Sequence, residues 1–128
     1  MSAILLDTCA LLWLGNGDAA LSREALQEIE NADTVYVSPV SLWEISNKRR
    51  QGKLVFSKPV REWFDKVCAR HGLTVLPLTT EIMISAGELP EQHKDPADRM
   101  IIAAALDAGL QVVTADRNFP LYGVKTIV

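Results

Sequence analysis

The chain has 128 residues, 48% hydrophobic and 23% charged, so it is long enough to bury a core and too apolar for disorder. That length predicts one domain covering residues 1–128. A net charge of −3 excludes a broad phosphate-tracking surface and confines any nucleic-acid contact to a local patch.

The chain opens on a short apolar run, Ala3 to Leu6, closed by Asp7, the pattern of a buried parallel strand. No basic region or long apolar stretch precedes it, and no run approaches the roughly 20 residues needed to span a bilayer. A cytoplasmic protein is expected. Cys9 to Leu14 reads as a short helix broken at Gly15-Asn16-Gly17-Asp18. Ser22 caps a helix running to Asn31, and Thr34 to Val37 forms a second strand.

Ser38-Pro39 starts a helix that carries Leu42, Trp43, Ile45 and Ser46 and ends at Gly52. Another begins near Pro59, repeats Val60, Trp63, Phe64, Val67 and Cys68 at helical spacing, and stops at His71-Gly72. Thr74 to Leu78 is a third strand, followed by a short helix capped by Thr80 and carrying Ile82, Met83 and Ala86. Asp95-Pro96 opens a helix whose Met100 to Leu106 stretch is nearly all apolar and which closes at Gly109. Gln111 to Thr114 and Lys125 to Val128 complete the strands.

Strands separated by helices imply right-handed crossovers and a mainly parallel sheet of four to five strands inside a three-layer α/β/α domain. Cys9 and Cys68 are expected as small buried hydrophobes, since they have no metal-site spacing. Trp13, Trp43 and Trp63 are expected to pack in the core or at an interface, with base stacking as the alternative. Leu11, Leu12, Trp13, Ile82 and Met83 are surplus apolar residues available to a homodimer.

Ligands of open parallel sheets bind beyond the carboxyl ends of the strands. Asp7 and Asp116 follow strands, Asp98 lies in the first turn of the buried helix, and Glu44 lies early in the helix after the second strand. Their convergence at one rim would require a cation, because close carboxylates do not all stay ionised alone. An all-oxygen donor set suits magnesium or manganese, which can activate water for attack at phosphorus.

The residues that carry this pattern are Leu5-Leu6-Asp7-Thr8, Ser41-Leu42-Trp43-Glu44-Ile45 with Lys48, His93-Lys94-Asp95-Pro96-Ala97-Asp98-Arg99 followed by Ile101-Ile102-Ala103-Ala104, and Val113-Thr114-Ala115-Asp116. In that order and over essentially the whole chain, they resemble the PIN-domain ribonucleases, and more closely the VapC-like toxins of type II toxin–antitoxin systems. The resemblance implies a PIN-like fold and metal-dependent endonucleolytic cleavage of RNA, often structured RNA such as tRNA. It also implies inhibition by a cognate antitoxin protein, and a homodimer. Asp7, Glu44, Asp98 and Asp116 match the family's metal-binding catalytic acids, and Thr8 and Thr114 match its supporting hydroxyls. Asn47 and Ala97 depart from the family pattern, and neither removes a ligand.

Asp95 is expected to cap its helix, with Asp98 serving both metal and helix dipole. Arg99 is expected to brace Asp95 or Glu44, with contact to substrate phosphate as the alternative. Lys48, one turn after Glu44, suits an ion pair with it, and Lys48 with Arg49 is the candidate phosphate contact. His93, just before the acidic helix, reads as an incidental loop residue, with a proton shuttle as the alternative. A non-cleaving RNA- or protein-binding module is the alternative. A phosphatase using an aspartate nucleophile is disfavoured, because Asp7 is followed by Thr8 and Cys9 rather than by a second aspartate two positions on.

Overall fold

A computed structural model describes residues 2–128. Five parallel strands form one sheet in the order β3-β2-β1-β4-β5, with β1 Ala3–Leu6, β2 Thr34–Val37, β3 Leu73–Val75, β4 Gln111–Val113 and β5 Thr126–Ile127. Six α-helices lie between them: α1 Thr8–Asn16, α2 Arg23–Asn31, α3 Pro39–Arg50, α4 Val60–His71, α5 Thr80–Glu88 and α6 Pro96–Ala108. β2 and β3 are laid outward on one side of β1, and β4 and β5 on the other. The strand order therefore reverses between β1 and β4, and a crevice opens beyond their carboxyl ends.

The central strand alternates between two cores, as the two-residue period of a strand requires. Ile4 and Leu6 pack with Leu11, Leu14, Ile29, Phe64 and Val67 of α1, α2 and α4. Leu5 faces Ile101, Ile102, Ala105 and Phe119 on the opposite side of the sheet. Helix α3 serves both faces, giving Ile45 to the first cluster and Val40 to the second. The Ala103-Ala104-Ala105 run of α6 is almost wholly buried, so its small side chains let that helix lie close against its neighbours.

The local signals account for most element ends. Ser22 and Ser38 accept from Ala25 N and Val40 N, and Gly72 and Gly109 close α4 and α6 in the left-handed conformation. Three expectations change. The third strand spans Leu73–Val75 rather than Thr74–Leu78; it is a sheet edge matched only to Val35–Val37, and Pro77 has no N–H to continue the ladder. The cap of α5 is Thr79, whose hydroxyl accepts from Ile82 N at 3.2 Å, and Thr80 is the first helical residue. The segment Phe119–Tyr122 forms a 3₁₀ turn that pattern alone did not reveal.

Buried-cysteine and interface expectations change as well. Cys9 is exposed and Cys68 only partly buried, because α1 begins at Thr8 and turns Cys9 away from the buried Thr8 and Ala10. Leu11 and Ile82 are buried and cannot supply an interface. Met83 and Ile84 of α5 are exposed, and so is Trp43, which packs in no core. No helix among the described residues is long and apolar enough to cross a membrane.

Candidate active site

Asp7 stands where β1 becomes α1. Its backbone N–H donates to Val113 O of β4 at 3.1 Å, extending the sheet by one bond. Its side chain caps α1, Oδ1 accepting from Ala10 N at 2.8 Å. Oδ2 accepts from the Thr114 hydroxyl at 2.6 Å, a bond that ties the end of β1 to the end of β4. Thr114 Oγ1 in turn accepts from Asp116 N at 3.0 Å, so one buried hydroxyl positions both acids. Thr8 is also buried and donates to Ser41 Oγ at 3.0 Å, which joins α1 to α3. Both threonines therefore support the site through bonds to its frame.

Asp7, Glu44, Asp98 and Asp116 line one cavity of about 170 Å³, together with Thr8, Cys9, Trp13, Lys48, Asp95 and Ala115. The four acids that the sequence separates by as many as 109 positions, Asp7 to Asp116, thus converge at the sheet's switch point. Asp95 keeps its capping role, accepting from Asp98 N at 3.2 Å. Lys48 Nζ lies 3.6 Å from Glu44 Oε2, the one-turn ion pair anticipated from spacing. Arg49 is exposed and does not line the cavity.

The electrostatics of the cavity are those of anionic crowding. Burial raises the Asp7 carboxyl above its ordinary range, and the Asp116 and Glu44 charges add to that, against the Thr114 and Ala10 hydrogen bonds. Asp98 is pushed up to about 6, first by burial and then by the Asp95 charge, with His93 opposing. Glu44 Oε1 is a buried oxygen with no hydrogen-bond partner among the described residues. An unpaired buried carboxylate oxygen beside three other acids is costly unless a cation meets it. This donor set fits a hard divalent cation held by Asp7, Glu44, Asp98 and Asp116.

Two residues depart from their expected roles. His93 is part of the site: its Nε2 lies 2.8 Å from Asp98 Oδ2 and 3.1 Å from Asp116 Oδ2, a trio close enough to share an ion. Its backbone is fixed from both sides, N–H donating to the Tyr122 hydroxyl at 2.7 Å and C=O accepting from Arg99 at 3.0 Å. The ring also meets Phe119 edge-on, with centroids 6.5 Å apart. The signal missed in the sequence was the unrecognised 119–122 turn, which supplies both aromatic supports.

Arg99 is structural, but it braces neither Asp95 nor Glu44. Its guanidinium donates to the carbonyls of Ala86, Gly87, Leu89, Pro90 and His93 at 2.6–3.4 Å. It thereby satisfies the open C-terminal end of α5 and the loop that presents His93.

Acids gathered at the carboxyl edge of a parallel sheet, where the strand order reverses, define an α/β domain built to bind at that edge. The PIN domain family model matches residues 4–125, and the chain belongs to the PIN-domain family. It is 35% identical over 119 residues to Ribonuclease VapC22 of Mycobacterium tuberculosis (strain ATCC 25618 / H37Rv), covering 92% of this chain and 90% of that protein. The fold is similar to VapBC2 from Rickettsia felis bound to a DNA fragment from their promoter, with a TM-score of 0.73, 16% identity and 98% and 97% of the two chains covered. It is also similar to Mycobacterium tuberculosis VapC20, a Sarcin-Ricin loop cleaving toxin, with a TM-score of 0.65, 21% identity and 94% and 95% covered.

Proposed function

We propose that the chain is a magnesium- or manganese-dependent endoribonuclease and the toxin of a toxin–antitoxin pair, acting in the cytoplasm as one domain over residues 1–128. The observation that carries the reading is the convergence of Asp7, Glu44, Asp98 and Asp116 on one small cavity with a buried, unpaired Glu44 oxygen. Relatedness to a VapC ribonuclease over nine-tenths of the chain supports RNA as the substrate. A divalent cation, when bound, would lower the pKa of water and offset charge on the phosphoryl oxygens.

The chain's own residues set the stage for hydrolysis by water. Thr114 fixes Asp7 through its hydroxyl and Asp116 through that residue's N–H, so two acids hold their places without rearrangement. Asn118 N donates to Asp116 Oδ1 at 2.9 Å, leaving Oδ2 to face the site. Nε2 of His93 lies within hydrogen-bond reach of both Asp98 Oδ2 and Asp116 Oδ2. Lys48, at the cavity wall, offers a positive charge to the incoming phosphate. Arg49, exposed on the same helix, acts at longer range.

A cognate antitoxin and a second copy of this chain are the expected partners, and the VapBC folds among its structural relatives support both. Met83 and Ile84 on the outer face of α5 are apolar surface available to the dimer.

The test is RNA cleavage by purified protein with and without magnesium, beside Asp7→Asn. Cleavage should require the cation and fall at least 100-fold in the variant. Activity that survives both EDTA and the substitution would sink the metal mechanism. Growth arrest on expression should be relieved by Asp98→Asn; arrest as complete as the parent's would defeat the catalytic toxin reading.

A further inference from the structure

A second concavity lies apart from the acidic cavity, beside α4. A groove of about 490 Å³ lies between the end of α1, the segment 55–58 and one face of α4. Its cations are Lys58, Lys66 and Arg70, with His71 beside them, and no carboxylate lines it. The Lys58 ammonium holds Lys66 below the ordinary lysine range, which marks two positive groups drawn close together. Glu62 reaches Lys66 at 3.9 Å, but both side chains are more than half exposed, and such a pair is worth close to nothing. In a chain of net charge −3, this is a local positive surface without a matching acid in its lining.

Aromatic rings lie within the same groove. Phe56 and Trp63 stack with centroids 5.1 Å apart and planes 17° apart. Trp63 is held in place by its Nε1–H, which donates to Asn16 Oδ1 at 3.2 Å. Gly15 lets the indole lie against α1: a Cβ there would sit 2.5 Å from Trp63 Cζ2 and 2.8 Å from Val67 Cγ2. Cations beside a fixed aromatic platform are what a single-stranded nucleic acid needs, the cations for its phosphates and the rings for a base. The inner sides of both rings pack against the core cluster, which fixes the platform in place.

Helix α1 joins this groove to the acidic cavity. Thr8, Cys9 and Trp13 line the cavity, and Gly15 and Asn16 line the groove. The whole helix rises only about 13 Å at 1.5 Å per residue, a span that a few nucleotides cover.

We propose that this groove is a second RNA-binding surface, which holds phosphates and a base of the substrate strand some nucleotides away from the bond that is cut. The proposal rests on the ribonuclease reading for the identity of the strand. It assigns a binding role to Lys58, Lys66, Arg70 and the Phe56–Trp63 pair, and it leaves chemistry to the acidic cavity. Substrate length is then recognised: RNAs long enough to occupy both places bind more tightly than short ones.

The test uses the full chain and the variant Lys58→Ala/Lys66→Ala/Arg70→Ala, whose removed side chains lie at the surface rather than in the core. Affinity for a fluorescent single-stranded RNA long enough to span both places is measured by anisotropy in EDTA over a salt series. A trinucleotide is the short substrate in a parallel cleavage assay with magnesium. The variant should lose at least tenfold in affinity for the long RNA at low salt. Its slope of log K against log salt should flatten by roughly 0.7 for each phosphate contact removed. Cleavage of the trinucleotide should stay at the parent's rate, and Lys58→Arg/Lys66→Arg should bind the long RNA as the parent does.

Equal affinity and equal salt slope in parent and triple variant overturn the proposal, including where the variant instead fails to hold a protein partner. A parent that binds long RNA through these cations but cuts no RNA defeats the ribonuclease reading and leaves the groove assignment standing.

Discussion

Nε2 of His93 lies 2.8 Å from Oδ2 of Asp98, on the side where Asp116 Oδ2 also approaches it at 3.1 Å. One imidazole thus stands between two carboxylates that would otherwise face each other. Removing it should leave both acids uncompensated in the metal-free protein. His93→Ala is therefore expected to lower the melting temperature without metal and to enlarge the stabilisation gained on adding magnesium. Thermal melts of parent and variant across a magnesium titration check this; an equal or smaller magnesium shift in the variant speaks against it.

Proton and cation should compete at Asp98. Its folded-state carboxyl titrates at about 6, raised from 3.8 by burial and by Asp95. A raised pKa means that the folded protein binds this proton more tightly than the unfolded chain. The resulting stabilisation is fully present below the unfolded value and is lost as pH rises through about 6. Burial raises Asp7 in the same direction. The increase in melting temperature on adding magnesium should therefore grow from pH 5 to pH 7.5. A magnesium effect that is flat across this range would contradict the assignment.

Thr114 should matter more than a buried threonine normally does. Its hydroxyl serves Asp7 and Asp116 together. Thr114→Val keeps the shape, leaves Asp7 Oδ2 without its donor, and should cost about 1–3 kcal/mol. RNA cleavage should fall about tenfold, in keeping with the loss of a supporting residue of a metal site. Thr114→Ser should recover most of both. Denaturant melts and initial rates on one RNA separate the two effects, and a Val variant with full activity would remove Thr114 from the site's frame.

Arg99 is expected to tolerate no lysine. Five carbonyls share its planar guanidinium, and an ammonium offers three donors from a single point. Both Arg99→Lys and Arg99→Ala should loosen residues 86–93. The alanine variant should lose about 1–3 kcal/mol, because several of these bonds are partly buried. Hydrogen exchange of the segment after α5 is the direct readout; unchanged protection there would mean that the network does not hold the loop.

Gly15→Ala should destabilise by about 1–3 kcal/mol through overpacking, although alanine is the better helix former. The new methyl would meet Trp63 and Val67, as the 2.5 and 2.8 Å approaches require. Tryptophan fluorescence should shift with displacement of Trp63, and a variant more stable than the parent would show that the helix absorbs the methyl.

The parts of this protein that were legible beforehand are those fixed by local chemistry. The run Ala3–Leu6 could only be a buried strand, Ser22 and Ser38 announce helix starts, and Gly72 and Gly109 announce ends. Alternation of these elements implied the parallel sheet. Asp7 was identifiable because an acid directly after a buried strand needs a partner, and Asp95 because a carboxylate before Pro96 caps a helix. Glu44 and Asp116 were placed mainly through the family pattern, since a helix glutamate or a turn aspartate has no local mark of burial.

What remained hidden depended on distance in the chain. His93 reads as an ordinary loop residue until the 119–122 turn folds back to supply Phe119 and Tyr122. Arg99 points to an acidic partner until the end of α5 brings unsatisfied carbonyls to it. The cations of the α4 groove, Lys58, Lys66 and Arg70, meet Phe56 and the end of α1 only in the folded chain. Sequence by itself determined the elements, their order and the acids available for a site, because propensity, capping and hydrophobic period act over a few residues. Tertiary structure alone decided which of those groups share a cavity and which are left without partners, because hydrogen bonds and charges act through space and take no account of separation along the chain.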